Sequence, residues 1–573
     1  MPDGSTPQSN QPRRLHPGSG RRKAAYFPKG RQLDPQAMEE VQALVAGKSL
    51  ARDFLIENLH LIQDAYGHLA ARHLVALAEL MRLALAEVYE VATFYAHFDV
   101  VLDDEPAPAP VTVRVCDSLT CACLGANELK AQLEAKVDPA KVRVIPAPCV
   151  GRCHQGPTAW VGKGYVDQAT PEKVLERLDQ GDLSDPMVPA YKDLAAYQAE
   201  GGYSLLKACL GGEKSADDII TTLKDSRLRG LGGAGFPTGM KWDFVRREDG
   251  PRYMAVNGDE GEPGTFKDRH YLESDPHRFF EGMLIGAWVA DAEIVYIYMR
   301  DEYPSVLKIL ANELAALEAA GLTGGREIQI RRGAGAYICG EESAMLESIE
   351  GKRGIPRHKP PYPTQVGLFG RPTLINNVET LFWVRDIVEK GADWFTNHGA
   401  NGRQGLRSYS VSGHVNDPGV KLAPAGTSVK ELIENYCGGM KPGHSFKAYL
   451  PGGASGGILP ASMDDIPLDF DTLQEHGCFI GSAAVMILSD QDDMKSVVKN
   501  LLHFFWDESC GQCTPCRNGT EKALSLMGED KWDLDLLSDI ALVMMDSSIC
   551  GLGQAAPNPL VTALKHFRDE LAG

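Results

Sequence analysis

Two sets of cysteines have spacings that suit metal chemistry. Cys510, Cys513 and Cys516 are each separated by two residues in Glu508-Ser-Cys-Gly-Gln-Cys-Thr-Pro-Cys-Arg-Asn-Gly519, and a distant fourth, Cys550, lies in Ser547-Ser-Ile-Cys-Gly-Leu-Gly553. A compact loop that supplies three thiolates, completed by one from elsewhere, suits the corners of a [4Fe-4S] cube. Structural zinc sites rarely use three cysteines at so tight a repeat. In the second set Cys116 and Cys121 enclose four residues, and Cys149 and Cys153 enclose three. Four thiolates from two loops can saturate either a zinc ion or a [2Fe-2S] cluster. Their place at two strand ends, rather than in compact knuckles, favours the cluster without excluding zinc. Cys123 lies close enough to Cys121 to take its place.

Between the two sets runs a stretch suited to holding a phosphate. Arg229-Gly-Leu-Gly-Gly-Ala-Gly-Phe-Pro-Thr-Gly-Met-Lys241-Trp242 carries five glycines among ten residues from Gly230 to Gly239. Such a loop gives up side-chain packing and backbone entropy, which is useful where main chain must approach a ligand. Gly230, Gly232 and Gly235 satisfy G-x-G-x-x-G, and Asp259 and Glu260 follow about a strand later, as in a dinucleotide fingerprint. The context is not that of an ordinary Rossmann loop. Ser215 to Asp225, just before it, is amphipathic and reads as a helix rather than a strand. A second glycine-rich turn, Gly333-Ala-Gly-Ala-Tyr337-Ile-Cys-Gly340-Glu341-Glu342-Ser343, should also open a helix, whose free N–H groups could hold an anion or a ring carbonyl. Carboxylates at Glu341 and Glu342 would repel a phosphate, so ribose or nicotinamide suits them better. Lys359-Pro-Pro-Tyr362-Pro and Ile375-Asn376-Asn377-Val-Glu379 read as loops, and the Asn pair supplies the mixed donors and acceptors that a flavin edge needs.

The elements that position these residues divide the chain into several units. A length of 573 residues corresponds to roughly four domains. Residues 1–35 form a basic flexible tail, rich in Pro, Gly, Arg and Lys, that is too polar to fold alone. Apolar residues at helical spacing, such as Leu74, Leu77, Met81, Leu85 and Val88, make 36–100 a helical bundle. Strand and helix patterns over 111–180 suggest a thioredoxin-like layer, followed by a linker over 181–205. Residues 206–400 hold the glycine-rich turns and a buried strand at Glu293–Tyr298. Residues 405–475 read as a β-grasp-like module with one helix, Val429–Tyr436, and no evident chemistry. Residues 476–573 form a helical bundle carrying the last cysteine set. The expected fold class is multidomain α/β and α+β.

A net charge of −19 argues against nucleic acid or an anionic membrane as partner. No apolar run is long enough to span a bilayer, and no signal-peptide core is evident, so a soluble, cytoplasmic protein is expected. Thirteen cysteines in that reducing compartment point to metals rather than disulfides.

Taken together, the glycine-rich turns and the terminal cysteines resemble the NADH-binding flavoprotein (51-kDa) subunit of respiratory complex I. Residues 36–180 resemble its 24-kDa-type neighbour, fused in front. The resemblance implies FMN contacts at Gly230, Gly232, Gly233, Lys241, Asn257, Asp259, Glu260, Tyr337, Gly340, Glu341, Asn376 and Asn377. It implies NAD contacts at Phe236, Phe244, Glu262, Glu342, Lys359 and Tyr362, with the fold of 206–400 a Rossmann-like FMN/NAD domain. It also makes Cys116, Cys121, Cys149 and Cys153 the [2Fe-2S] ligands, and Cys510, Cys513, Cys516 and Cys550 the [4Fe-4S] ligands. Leu231 departs from the family, which usually has Arg there, so any phosphate contact from that side chain is missing.

Fusions of this kind resemble diaphorase subunits of soluble NAD-dependent formate dehydrogenases and of NAD-reducing hydrogenases. The string Cys116-Asp-Ser-Leu-Thr-Cys121 is closer to the formate dehydrogenase β subunit. The implied function is exchange of hydride between NAD(H) and FMN, and of single electrons with the clusters, with no catalytic protein side chain. Glu260 and Glu262 are expected to position nicotinamide and ribose. A separate α subunit with molybdenum or tungsten and further clusters would oxidise formate. The alternatives are a hydrogenase partner and a non-catalytic electron-transfer module.

Overall fold

The computed structural model describes residues 31–572. Most of the expected basic tail therefore lies outside the described residues. Asp34 caps the first helix, Pro35–Leu44, by accepting from the Gln36 N–H, with Pro35 at the first helical position, where its missing N–H costs nothing. Three more helices, Leu55–Tyr66, Ala71–Met81 and Leu85–Ala92, complete the bundle.

The unit that follows is a four-stranded sheet. Val111–Cys116 lies at its centre, parallel to Val142–Ala147 and antiparallel to Ala159–Val161, which pairs with Gly164–Val166. Val113 and Val115 point into a small core with Leu129 and Leu133 of the helix Ala126–Lys136. Both cysteine-bearing loops leave the C-terminal ends of the two parallel strands.

The largest unit is built on four parallel strands in the order Thr373–Asn377, Arg252–Gly258, Ala292–Met299, Glu327–Arg332. Its central strands are covered on both faces, as apolar parallel strands must be. Met254, Val256, Val295, Ile297 and Met299 face one core, shared with the helix Pro276–Ala290. Ala255, Tyr296 and Tyr298 face the other, which also takes in the N-terminal bundle and the C-terminal helices. The alternation follows the period of two along a strand.

A mixed five-stranded sheet comes next, in the order Gly419–Pro424, Leu406–Gly413, Ala484–Ser489, Phe446–Leu450, Leu459–Pro460. Its middle strand, Ala484–Ser489, lies beyond residue 475, where the sequence pattern puts the start of the helical bundle. Ala484-Val-Met-Ile-Leu is buried throughout, and a continuous apolar run followed by a helix cannot be told from that helix by periodicity. The expected helix at Val429–Tyr436 is a single α-turn that widens into a π-turn over Leu432–Tyr436. The helices Met494–Asp507, Thr514–Leu526, Leu534–Ser547 and Asn558–His566 close the chain, with short turns between and after them. Among the described residues, no helix is long and apolar enough to cross a membrane.

Candidate functional site

The glycine-rich loop lies between two helices, Ala216–Asp225 and Thr238–Arg247, as its sequence context implies. Its ends are pinned together by the Gly230 N–H donating to the Phe236 carbonyl at 2.8 Å. Gly233, with φ 140°, and Gly235, with φ 66°, adopt conformations that L side chains rarely reach. A methyl on Gly232 would stand 3.0 Å from the Asn377 side chain, so the bare backbone leaves the approach open.

This loop forms one wall of a cavity of about 670 Å³. Gly232, Gly233, Asn257, Asp259, Glu260, Glu262, Tyr337, Gly340, Glu341 and Asn377 all line it, so ten of the residues expected at the two nucleotides converge. The lining continues into regions where the sequence carries no signal. Ser455, Phe470 and Phe479 come from the small β-rich module and its following loop, and Gly551, Leu552, Gln554 and Asn558 from the terminal helices.

Inside the cavity Asn257 is fixed, donating to the Gly340 carbonyl at 2.8 Å while its own carbonyl accepts from the Asp259 N–H. Asp259 is different: its Oδ2 is buried with no hydrogen-bond partner, and burial pushes its pKa well above the usual carboxylate range. An orphaned acceptor or donor facing a cavity walled by bare glycine backbone fits a polar ring or ribityl chain. Glu262 accepts from the Tyr337 hydroxyl, and also from the Ser455 N–H at 2.8 Å and Ser455 Oγ at 2.7 Å.

Three expectations about side chains change. Glu260 caps the helix Lys267–Ser274, accepting from the Asp268 N–H at 2.8 Å, the Arg269 N–H at 3.1 Å and the Tyr303 hydroxyl at 3.0 Å. Burial raises it to about 7, but both its oxygens are committed to the protein rather than to nicotinamide. The free N–H groups expected at the Gly340 turn are also taken. Glu341 accepts from Ser343 N–H at 2.9 Å and Ala344 N–H at 3.0 Å, so the helix Glu342–Ile349 caps itself. Asn376 accepts from the Trp242 indole at 2.9 Å and stands outside the lining, and its neighbour Asn377 donates to Asp268 at 2.6 Å.

Gly230 and Lys241 also lie outside the lining, as does the remainder of the expected NAD set. Phe236 and Phe244 are 41% and 42% exposed, with ring centroids 6.2 Å apart. Lys359 donates to Glu341 and Glu342, each at 2.8 Å, and Lys241 lies 3.8 Å from Glu342. Tyr362 is 53% exposed. These residues form an accessible flank joined to the cavity through the Lys359–Glu341 pair.

Neither cysteine set lines the cavity itself, but each is linked to its wall. Cys149 and Cys153 sulfurs are 3.3 Å apart, and Cys116 hydrogen-bonds to Cys121 and Cys149. Hydrogen bonds from Cys116 and Cys153 hold Cys149 well below the ordinary thiol range. Cys123 is not part of this group: it turns to Asp492 instead, and burial raises its thiol. The Cys149 carbonyl accepts from Arg300 at 2.6 Å, and the same guanidinium donates to the Glu260 carbonyl in the cavity wall. Arg300, Tyr303 and Arg269, which donates to the Gly151 carbonyl at 3.1 Å, thus weld this loop to the cavity. The sequence offers no signal for Arg300 beyond its place at a strand end. In the terminal set, Cys510, Cys513 and Cys550 all influence the buried Cys516 thiol, and Cys550 directly precedes lining residues Gly551 and Leu552. Among the described residues no three His, Cys, Asp or Glu side chains converge closely enough for one bare metal ion.

Known proteins agree with this arrangement. Residues 223–386 match the Nuo51 FMN-binding domain, 41–181 a thioredoxin-like [2Fe-2S] ferredoxin, 496–573 the NADH-ubiquinone oxidoreductase-F iron-sulfur binding region, and 408–459 the SLBB domain. An F-type subunit of NADH-quinone oxidoreductase from Rhizobium meliloti (strain 1021) is 44% identical over 398 residues, which is 67% of this chain and 94% of that protein. The chain belongs to the family of F-type subunits of NADH-quinone oxidoreductase. The F-type protein of Mycobacterium bovis is 41% identical over 66% of this chain and 89% of its own. Over almost its full length the chain is also similar to a crystal structure of NAD+-reducing [NiFe]-hydrogenase in the H2-reduced state. The TM-score is 0.81 and the identity 31%, over 91% of this chain and 93% of that one. This F-type chain is thus an NAD(H)-dependent oxidoreductase subunit with sites for FMN, a [2Fe-2S] and a [4Fe-4S] cluster, fused to the ferredoxin-like unit that precedes residue 181.

Proposed function

We propose that this chain is the diaphorase subunit of a soluble NAD-dependent formate dehydrogenase, working beside a separate α subunit that carries molybdenum or tungsten. The observation that carries the diaphorase reading is one cavity whose wall is linked to both cysteine sets, through Arg300 between the Cys149 and Glu260 carbonyls and through Cys550 next to lining residues Gly551 and Leu552. Exchange between the hydride of nicotinamide and single electrons is the chemistry that FMN supplies when bound. The chain's own residues hold and orient. Gly232, Gly233, Asn257, Asp259, Gly340 and Asn377 would hold FMN. Glu262, with Phe236, Phe244, Glu342, Lys359 and Tyr362, would hold NAD(H). The eight cysteines of the two sets would hold the clusters. Glu260 acts from behind, fixing the helix Lys267–Ser274 and hence Asp268, which orients Asn377.

The formate partner is supported by the Cys116 to Cys121 string. A hydrogenase partner is the second reading, supported by the likeness to the NAD+-reducing hydrogenase chain. The purified full chain with FMN and clusters is expected to reduce ferricyanide with NADH. No reduction at full FMN occupancy would remove the diaphorase reading and leave an electron-transfer module. Metal analysis of the co-purified complex separates the partners: molybdenum or tungsten supports the formate reading, and nickel overturns it.

A further inference from the structure

The β-rich module of 406–489 looks like a spacer in sequence, yet one of its loops reaches into the cavity and grips a carboxylate. Glu262 comes from the acidic loop after the strand Arg252–Gly258. Its Oε1 accepts from both the backbone N–H and the hydroxyl of Ser455, at 2.8 and 2.7 Å, and its Oε2 accepts from the Tyr337 hydroxyl. Gly453, two residues earlier, has φ +82°, and a methyl there would stand 2.6 Å from Glu262 Cγ. The loop is therefore shaped around this side chain. Its other end is tied down as well, because Asn558 of the terminal bundle donates to the Ser455 carbonyl at 3.0 Å.

The three donors leave Glu262 half-buried in the cavity lining with a single orientation. Burial raises the pKa of this carboxyl above the ordinary range, and the hydrogen bonds from Tyr337 and Ser455 offset only part of that rise. A carboxylate that recognises ribose or amide groups is useful only if it is held in place before the ligand arrives, since ordering it on binding would subtract from affinity.

We propose that Ser455 is a positioning residue for the dinucleotide: it holds Glu262 in the orientation that binds NAD(H), so the SLBB module forms part of the nucleotide site. The proposal rests on Glu262 being a nucleotide contact. Binding is affected and hydride exchange is not, because Ser455 touches Glu262 rather than the reacting atoms.

The test is steady-state NADH–ferricyanide kinetics on the full-length chain with FMN content and cluster absorbance measured for each preparation. Loss of one hydrogen bond to a charged group is worth about a tenfold change in affinity. Ser455→Ala is therefore expected to raise KM for NADH about tenfold, with kcat changed less than about twofold and FMN and cluster content unchanged. Ser455→Thr keeps the hydroxyl and should restore KM to within about threefold of the unmodified chain, a rescue that a merely structural role would not give. Glu262→Gln serves as the reference. If Glu262→Gln raises KM and Ser455→Ala does not, the positioning role of Ser455 is overturned while the diaphorase reading stands. If neither variant moves KM, Glu262 is not a nucleotide contact and the proposal falls with it. If the unmodified chain at full FMN does not oxidise NADH, both fall.

Discussion

The resemblance implies an arginine where Leu231 stands, and the surroundings of Leu231 leave no room for a guanidinium. The side chain is buried in the main core, and its backbone N–H donates to Thr380 Oγ1 at 2.9 Å. It lines a cleft already occupied by Arg227, Arg229, Arg403 and Arg407, two of which sandwich the Phe470 ring at 4.4 and 4.3 Å. Leu231→Arg would add a fifth cation with no carboxylate to spare in that cleft, since Asp469 already pairs with Arg403 and Arg407 and Asp471 with Arg229. The expected cost is about 3 kcal/mol or more, read as an earlier urea midpoint with no gain in FMN affinity. An unchanged midpoint together with tighter FMN binding would show that the guanidinium finds an anion after all. At this scale the sequence is informative where chemistry demands a spacing: the cysteines and the glycines can be read because few other arrangements serve clusters and close backbone approach. Ser455, Arg300 and Phe470 cannot, because a serine in a glycine-rich loop or an arginine at a strand end is ordinary until the chain folds.

Between elements, the N-terminal bundle docks on the edge strand Glu327–Arg332 through buried polar contacts rather than apolar packing alone. Arg331 is buried against Glu57 at 2.6 Å and Asp53 at 3.3 Å. His60, on the helix Leu55–Tyr66, has Nε2 2.8 Å from the Gly333 carbonyl, so the neutral ring donates there. Burial, aided by Arg332 and opposed by Asp301 and Asp64, pushes His60 down to about 4. The unfolded chain titrates near 6.5, so between those values it binds the proton that the folded chain refuses. Stability from the neutral ring is thus complete above about pH 6.5 and is lost towards pH 4, by up to roughly 3 kcal/mol. His60→Gln keeps a donor and removes the titration. Its Tm should fall less than that of the unmodified chain between pH 7 and 5, so the gap between the two narrows; parallel curves would exclude the histidine as the cause. The sequence reveals this helix by its period but not its docking, because periodicity marks the buried face without naming the partner. The strand Ala484–Ser489 escapes sequence reading for a related reason, its partners in the sheet lying far back along the chain.

Across the whole molecule, the cavity is assembled from parts of the chain that lie far apart in sequence, and the terminal cysteines differ in how near they stand to it. Cys550 caps the short helix Gly551–Ala555, whose Gly551, Leu552 and Ala555 line the cavity. Cys513 caps the helix Thr514–Leu526 and is partly exposed, with no residue of that helix in the lining. The two substitutions should therefore separate electron delivery from nucleotide chemistry. Cys513→Ser is expected to lower electron exchange with the partner protein at least about a hundredfold, roughly 2.7 kcal/mol or more, while NADH–ferricyanide activity and FMN content stay within about twofold of the unmodified chain. Cys550→Ser loses the same exchange but also loosens the cavity wall, so FMN should be released on dilution and dye reduction should fall with it. The measurements are FMN fluorescence in the filtrate and the two activities side by side. Equal loss of dye reduction in both variants would mean that the whole terminal bundle, rather than the Cys550 turn alone, holds the flavin domain in shape.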